Sequence, residues 1–210
     1  MIYKIYNQTF KTKKSAYIYT KNLLVKNKYN KFSEGEVFNY LMAMVDIHHN
    51  KLEKIGDGII SFEIKDDFYN HTSVFINQKT KKNVGFSWIQ VCKFKPPTLR
   101  EEFIGALRHS IDDQIQEFKN NLGGDLICDF CKSIENPHID HVYTFKNILI
   151  DFQDIYDVNI PKKYGKCIIT NRTIFLEEDS ELSINFQRFH KEKAILRCLC
   201  SKCNLGRKRK

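Results

Sequence analysis

The sequence predicts an α+β fold in two units joined by a long helix, and three observations indicate it. Residues 1–95 alternate short β-like runs with helical patterns, which is typical of an α+β domain. Pro96-Pro97 ends that pattern, and an amphipathic linking helix is expected within residues 96–125. Cys-x-x-Cys pairs lie near both ends of residues 126–210, which indicates a second domain held together by a metal ion.

The first unit combines predicted strands and helices in alternation. The better of its helices covers residues 36–48, where apolar side chains recur every three or four positions, and Gly56 and Gly58 follow it. The other helix is expected over residues 15–26. The expected strands cover residues 2–6, 59–64, 73–76 and 84–91, with polar residues 77–83 as the turn between the last two.

The linking helix has a clear start and a clear end. Thr98-Leu-Arg-Glu101 has the pattern of a capping box, in which both side chains are expected to satisfy free backbone donors, and Gly123-Gly124 is expected to stop the helix. An apolar stripe recurs every three or four residues between them, and we expect it to be a packing face rather than a ligand site. The stripe consists of Leu99, Phe103, Leu107, Ile111, Ile115 and Phe118.

Composition favours a folded intracellular protein that binds a polyanion. The 210-residue chain is 42% hydrophobic, which is enough to bury a core. Its formal net charge of +9, from 34 Lys and Arg against 25 Asp and Glu, favours nucleic acid over an anionic membrane as a partner. No run approaches the roughly 20 apolar residues of a membrane span, and the N-terminus lacks a signal-peptide pattern. We therefore expect the protein in the cytoplasm, nucleoid or nucleus.

Cysteine spacing predicts a structural zinc site. Seven cysteines in a reducing compartment suggest metal ligands before disulfides. A single Cys-x-x-Cys pair can be a redox motif, whereas two such pairs supply the four thiolates of a tetrahedral zinc site. Cys198 is a rival ligand with a poorer spacing, and it is otherwise expected to be a small buried side chain, like Cys92 and Cys167. The predicted ligands are Cys128, Cys131, Cys200 and Cys203.

Polar residues beside both cysteine pairs suit phosphodiester hydrolysis. That reaction needs a base to deprotonate water, a hard cation to neutralise charge, and a positioned phosphate. His141 can supply the base, while Asp140 and Asn204 offer the oxygen ligands that Mg²⁺ or Mn²⁺ prefers. On its own, Asp-His is a common dipeptide, and Asn204 can simply cap a turn. The prediction of a catalytic site therefore depends on finding these residues beside the two cysteine pairs.

These motifs resemble the HNH, or ββα-metal, endonucleases over residues 126–208. The resemblance lies in Cys128-x-x-Cys131, His138-Ile-Asp140-His141 and Leu196-Arg-Cys-Leu-Cys200-x-x-Cys203-Asn204, whose end is similar to that of phage recombination endonucleases. It implies a ββα-metal nuclease domain in which four cysteines bind structural zinc. It also implies that His141 is the general base, that Asp140 and Asn204 hold one catalytic Mg²⁺, and that His138 either assists near the phosphate or is structural.

The chain departs from that family pattern in three ways. Tyr143 stands where the family often has another histidine, and the middle Asn of the HNH name falls near Ala194 or Ile195. We therefore expect a backbone carbonyl or another side chain to orient His141. Residues 142–195 form a long insertion between the two halves of the motif, and within it His190 is a secondary site candidate because some HNH nucleases carry a similar aromatic-His stretch.

The insertion has its own predicted elements. Phe145, Leu149, Phe152 and Tyr156 recur at helical spacing, and a second short helix is expected around Phe186, Phe189 and His190. Residues 168–176 resemble a strand. Core packing is the expected role of the apolar residues among these.

Residues 1–95 resemble the DCL-like domain of plant plastid proteins and of plant-specific RNA polymerase tails. The resemblance implies an association with nucleic-acid processing rather than catalysis, and we expect this domain to position the nuclease on its substrate. The motifs are Phe10-x-Thr-Lys-Lys, His48-His49, Lys54-Ile-Gly56-Asp-Gly58-Ile59 and Phe86-Ser87-Trp88 through Cys92.

Together these features predict a metal-dependent endonuclease that acts on double-stranded or branched DNA. The basic tail of Arg207, Lys208, Arg209 and Lys210 is either a solvated end or a contact to the DNA backbone. Cleavage of both strands with one site per chain favours a homodimer. Restriction-type, structure-selective and homing-type cutting all stay open. The alternative is a catalytically inactive zinc-containing adaptor that binds nucleic acid or takes part in RNA processing.

Overall fold

The computed structural model describes residues 2–67, 71–124, 126–167, 170 and 172–206. Its mixture of helices and antiparallel strand pairs confirms the α+β class. The chain divides into two compact units, Met1–Thr98 with Cys167–Asn171, and Leu99–Lys166 with Arg172–Lys210. The second unit therefore begins directly after the Pro96-Pro97 segment and includes the residues expected to link the domains.

The first unit is a four-stranded antiparallel sheet with helices and a small separate hairpin. Strands β1 and β2 form the hairpin, and the sheet has the order β3-β4-β5-β6. The strands are Tyr3–Ile5 (β1), Gln8–Phe10 (β2), Lys31–Phe32 (β3), Ile59–Asp66 (β4), Thr72–Gln78 (β5) and Val84–Phe86 (β6). The helices are Lys13–Lys26 (α1), Gly35–Asp46 (α2), Lys51–Ile55 (α3) and Trp88–Cys92 (α4).

Alternation and helical periodicity explain the core of this unit. In β5, Val74 and Ile76 are buried, which is the period of two that a half-buried strand shows. Helix α2 buries Tyr40, Leu41 and other members of its predicted apolar face. Helix α1 begins with a capping box in which the Thr12 hydroxyl accepts from the Ser15 amide at 3.0 Å.

The predicted strand over residues 84–91 is wrong in its second half. Strand β6 ends at Phe86, and α4 begins at Trp88. Trp88, Val91 and Cys92 are all buried, because a short helix places residues three and four apart on one face. Sequence alternation alone did not distinguish this short apolar helix from a strand.

The second unit places a helical core beside a two-stranded ribbon. Strands β7 and β10 pair antiparallel, and β8 pairs with β9. The helices are Leu99–Ser110 (α5), Asp112–Asn121 (α6), Phe145–Tyr156 (α7), Ser180–Lys193 (α8) and Ser201–Gly206 (α9), with a 3-10 turn at Glu177–Asp179. The strands are Pro137–His141 (β7), Gly165–Lys166 (β8), Thr173–Ile174 (β9) and Leu196–Cys200 (β10).

The residues expected to form one linking helix form two. Helix α5 ends at Ser110, and α6 restarts at Asp112 after Ile111, whose φ of −103° and ψ of 6° lie outside the helical range. Phe103, Leu107 and Ile111 are fully buried, as the stripe predicts, whereas Leu99 is 46% exposed. The stripe therefore packs into the core of the second unit from Phe103 to Ile111, with Ile115 partly buried against that core.

The insertion contributes the rest of that core. Helices α7 and α8 lie where helical spacing predicts them, and Phe152 of α7 packs edge-on against Phe186 of α8 with 5.0 Å between ring centroids. Part of the expected strand over residues 168–176 lies outside the described residues, and β9 covers Thr173–Ile174 within it. No helix in the described part of the chain is both long and apolar enough to cross a bilayer.

Candidate metal centre and active site

Four cysteine sulfurs from distant parts of the chain converge. The ligand atoms of Cys128, Cys131, Cys200 and Cys203 all lie within 4.8 Å of one another, and Cys131 Sγ lies 3.5 Å from Cys200 Sγ. Zinc–sulfur bonds of about 2.3 Å in a tetrahedron place the sulfurs about 3.8 Å apart. The cluster therefore fits one tetrahedral zinc ion and could hold it.

Backbone geometry shapes the first half of this cluster. Lys132, directly after Cys131, adopts the left-handed conformation with φ of 62°, and its amide donates to the Cys128 carbonyl at 2.9 Å. This tight turn directs backbone amides toward sulfur. Hydrogen bonding from the Cys131 amide, with further amides, lowers the pKa of Cys128 to about 6, because an amide donor stabilises the thiolate.

The pKa of Cys203 shifts in the opposite direction. Hydrogen bonds with the side chains of Cys131 and Cys200 raise its pKa to about 12, since its proton is shared with neighbouring sulfurs. Its own amide donates to Cys200 Sγ at 3.4 Å. Zinc binding to a cysteine displaces the thiol proton, which makes metal affinity fall at low pH.

Pairing of β7 with β10 brings the two halves of the predicted motif together. Arg197 lies opposite Asp140 and Leu196 opposite His141 in the antiparallel register. Helix α9 follows β10 without a gap, so that two strands and a helix are consecutive in space. This strand–strand–helix arrangement carries Asp140 and His141 on β7 and Asn204 on α9.

Asp140 is buried and already paired. Its Oδ2 accepts hydrogen bonds from Arg197 Nε at 3.0 Å and from Arg197 Nη2 at 2.9 Å. Asp140 is 6% exposed, and the Arg197 guanidinium also lies over the Phe130 ring, 5.0 Å from its centroid. A buried carboxylate needs such a partner, because an unpaired charge there is costly. Arg197 lies within the motif from Leu196 to Asn204, but the sequence predicted no role for it.

His138 connects β7 to α9. Its Nε2 lies 2.7 Å from the Ser201 hydroxyl, and it shares one face of β7 with Asp140, two residues further on. Asn204 follows Ser201 by three positions and thus lies on the same side of α9. Asn204 is partly buried. The contact between His138 and Ser201 therefore brings the strand that carries Asp140 against the helix that carries Asn204.

His141 faces away from Asp140, toward the helices. Its Nε2 lies 2.8 Å from Nε2 of His190 on α8, and its ring packs edge-on against Phe145 with 5.7 Å between centroids. His190 is fully buried, and its Nδ1 lies 2.7 Å from Oε1 of Gln114 on α6. Burial, with a smaller effect from His141, lowers the pKa of His190 to about 4, so it is neutral at pH 7.

Gln114 could not be found from the sequence. It lies 76 residues before His190, in a segment whose periodicity indicates only packing. The predicted tail residues Arg207, Lys208, Arg209 and Lys210 lie outside the described residues. The structure brings together the four cysteines and, separately, His141 with His190.

The remaining cysteines do not join the cluster. Cys92 and Cys198 are buried, and burial raises the pKa of both thiols. Cys198 lies two residues before Cys200 on β10, and its sulfur is not among the four that converge. Cys167 is half-buried. Among the described residues, the four cysteines of the two Cys-x-x-Cys pairs form the cluster that could hold a metal ion, as their spacing predicts.

Comparison with known proteins gives little further guidance. No family model matches the chain, and no curated protein matches it. Among solved structures, the chain is similar to the solution NMR structure of an uncharacterized protein from Rhodospirillum rubrum, at 20% sequence identity and a TM-score of 0.39. The match covers 42% of this chain and 86% of that one. The geometry of the second unit therefore supplies the arguments for function.

Proposed function

We propose that this chain is a metal-dependent DNA endonuclease of the HNH, or ββα-metal, class. The observation that carries the proposal is the antiparallel pairing of β7 with β10, followed directly by α9, beside a four-cysteine cluster. The contact between His138 and Ser201 brings β7, which carries Asp140 and His141, against α9, which carries Asn204. The proposal takes these three side chains as one site, with His141 on the opposite face of the strand from Asp140.

Three side chains divide the chemistry between them. His141 accepts the proton of the attacking water, while Asp140 and Asn204 each offer one oxygen to a hard divalent ion. A bound Mg²⁺ or Mn²⁺ would neutralise charge on the scissile phosphate and on the leaving oxygen. His138, hydrogen-bonded to Ser201, lies on the same strand face as Asp140 and either contacts the phosphate or orders the start of α9.

Zinc in the cysteine cluster has a structural role in this proposal. Four thiolates complete a tetrahedral shell and leave no open position for water or substrate, which is the pattern of structural rather than catalytic zinc. The ion would hold the loop that contains Cys128 and Cys131 against the junction of β10 and α9. It would thereby keep Asp140 and Asn204 at a fixed separation.

The substrate is a polyanion in this account. The chain has a formal net charge of +9, and its last four residues are all basic. Lys202 lines an open cleft of about 780 Å³ beside Cys131 and Cys200, which offers room for a phosphate backbone near α9. We expect a homodimer to cut both strands, and we expect the first unit to position the nuclease on DNA.

The test is replacement of His141 by alanine. The zinc-loaded wild-type protein should cut plasmid or branched DNA when Mg²⁺ or Mn²⁺ is added, and His141→Ala should lose at least about 100-fold in kcat. Zinc content and DNA binding should stay unchanged. Exposed Glu192→Ala on α8 is the matched control and should cut normally. Equal cleavage by His141→Ala and the wild type would reject the mechanism.

One observation favours the second candidate, a zinc-containing nucleic-acid-binding or RNA-processing adaptor without catalysis. Arg197 makes two hydrogen bonds to Oδ2 of Asp140, and this occupies an oxygen that the nuclease proposal assigns to a metal ion. Isothermal titration of the zinc-loaded protein with Mn²⁺ separates the candidates. Binding that Asp140→Asn weakens favours the nuclease, whereas absence of binding together with retained DNA affinity favours the adaptor.

A further inference from the structure

A hydrogen-bonded chain of three side chains leads from helix α8 to His141. The Gln114 amide is anchored first, because its Nε2 donates to the backbone carbonyl of Gln187 at 2.8 Å. A carbonyl oxygen can only accept, so this bond determines which end of the Gln114 amide faces His190. The end that faces His190 Nδ1, at 2.7 Å, is the oxygen Oε1.

The protons of both histidines follow from that orientation. Because Oε1 of Gln114 can only accept, Nδ1 of His190 carries the proton. A neutral imidazole has one protonated nitrogen, so Nε2 of His190 is an acceptor. His190 is 1% exposed, and burial lowers its pKa to about 4, which supports the neutral form. In the 2.8 Å contact between the two rings, Nε2 of His141 is therefore the protonated donor and Nε2 of His190 is the acceptor.

We propose that His190 and Gln114 are positioning residues that hold His141 in the Nε2–H tautomer, with Nδ1 as its proton-accepting nitrogen. This inference rests on the proposed nuclease function, in which His141 is the base. It also explains how His141 is oriented although Ala194 and Ile195 stand where the family pattern places an asparagine. In this chain His190 of α8, oriented by the Gln114 amide of α6, accepts the hydrogen bond from His141 in place of the missing asparagine.

Packing makes the arrangement rigid. His190 and Gln187 lie three residues apart on α8, so a single helix supplies both the anchor for Gln114 and the acceptor for His141. Phe186 packs against both Phe145 and the His190 ring, with centroid distances of 5.8 and 6.1 Å. The ring of His141 in turn lies against Phe145. Rotation of either imidazole would disturb these contacts.

The test combines histidine NMR with kinetics on three zinc-loaded proteins. In the wild type, ¹⁵N shifts should show His141 protonated on Nε2 and His190 on Nδ1 at pH 7. His190→Phe keeps an aromatic ring among Phe186 and its neighbours but removes the acceptor. It should give His141 a mixture of tautomers and lower kcat at least about 100-fold, with KM for plasmid DNA unchanged. His190→Gln restores an acceptor and should recover the Nε2–H tautomer and most of kcat.

The outcomes separate this inference from the nuclease proposal. A wild-type His141 protonated on Nδ1 would overturn the inference, as would a His190→Phe variant with an unchanged tautomer. If the wild type shows the expected tautomers but cuts none of the DNA substrates with Mg²⁺ or Mn²⁺, the positioning contact stands and the nuclease proposal fails. Matched zinc content and matched amide spectra in the variants show that the second unit is folded.

Discussion

Arg197 and Asp140 form a pair whose geometry affects both stability and metal binding. The side chains are 20% and 6% exposed, so little water screens the charges. Asp140 needs this partner while no cation is present, because a buried carboxylate left alone costs several kcal/mol. A divalent ion at Asp140 would share the carboxylate with the guanidinium or displace it.

Replacing Arg197 tests this dependence. Arg197→Ala leaves the Asp140 carboxylate buried without its main partner, and we expect the free energy of unfolding to fall by about 3 kcal/mol. Urea denaturation of the metal-loaded and metal-free protein measures the change. In a double-mutant cycle, Asp140→Ala should make the Arg197→Ala substitution nearly neutral. Additive losses in the double mutant would show that the two side chains are energetically independent.

The roles of individual site residues differ in how well the sequence predicts them. Cysteine spacing predicted the members of the cluster, because a tetrahedral ion requires four ligands in two close pairs, and the structure brings those sulfurs together. The role of Arg197 can be recognised only from the strand register, which places it opposite Asp140. Gln114 acts through an amide orientation that depends on the Gln187 carbonyl, which no sequence pattern encodes.

At the scale of elements, β7, β10 and α9 are too short to be stable alone. The strands have five residues each and the helix has six, whereas isolated helices need about 12–15 residues and isolated ribbons are marginal. Their local core is small, consisting of Cys128, Leu199 and Cys200 with Cys203 packed against them. A metal ion bound by the four cysteines would therefore contribute directly to the folding of this segment.

Removal of zinc should unfold these elements selectively. Cys131→Ser, or a strong chelator, should abolish zinc binding and amide protection in β7, β10 and α9, while the sheet of the first unit keeps its protection. Hydrogen exchange combined with elemental analysis measures both effects. Cys198→Ala, which changes a cysteine outside the cluster, is the matched control and should retain one zinc per chain. Full protection of β7 in the metal-free protein would contradict this account.

Other elements show where periodicity succeeds and where it fails. Helices α2 and α7 are long enough that apolar spacing identifies them. Helix α2 buries its predicted face, whereas in α7 Leu149 and Phe152 are buried and the predicted core residue Tyr156 is 39% exposed. Helix α4 has five residues, so its apolar run fits a strand as well as a helix. The interruption between α5 and α6 occurs at Ile111, a residue with no helix-breaking chemistry, so no sequence pattern indicates it.

At the scale of the whole molecule, net charge dominates encounters with a partner. The formal net charge of +9 attracts nucleic acid over a distance set by salt, since screening reduces the field beyond about 8–10 Å at physiological ionic strength. This attraction does not depend on base sequence. Specificity would have to come from particular contacts to DNA, while charge sets affinity and the rate of association.

Trimming the basic tail tests the electrostatic contribution. Deletion of Arg207, Lys208, Arg209 and Lys210 should weaken binding to all DNA sequences alike. The slope of log K against log salt should become shallower by about 0.9 for each phosphate that the tail neutralises in the full-length protein. Fluorescence anisotropy at several salt concentrations measures the slope. A tail that is merely solvated would leave both affinity and slope unchanged.

The central claim is that Asp140 and Asn204 bind one catalytic divalent ion near His141, on a scaffold that zinc holds together. Anomalous diffraction from crystals of the zinc-loaded protein soaked in Mn²⁺ tests it most directly. We expect a zinc peak among the four cysteine sulfurs and a separate manganese peak bonded to Asp140 and Asn204. Zinc among the cysteines with no manganese at Asp140 would contradict the claim.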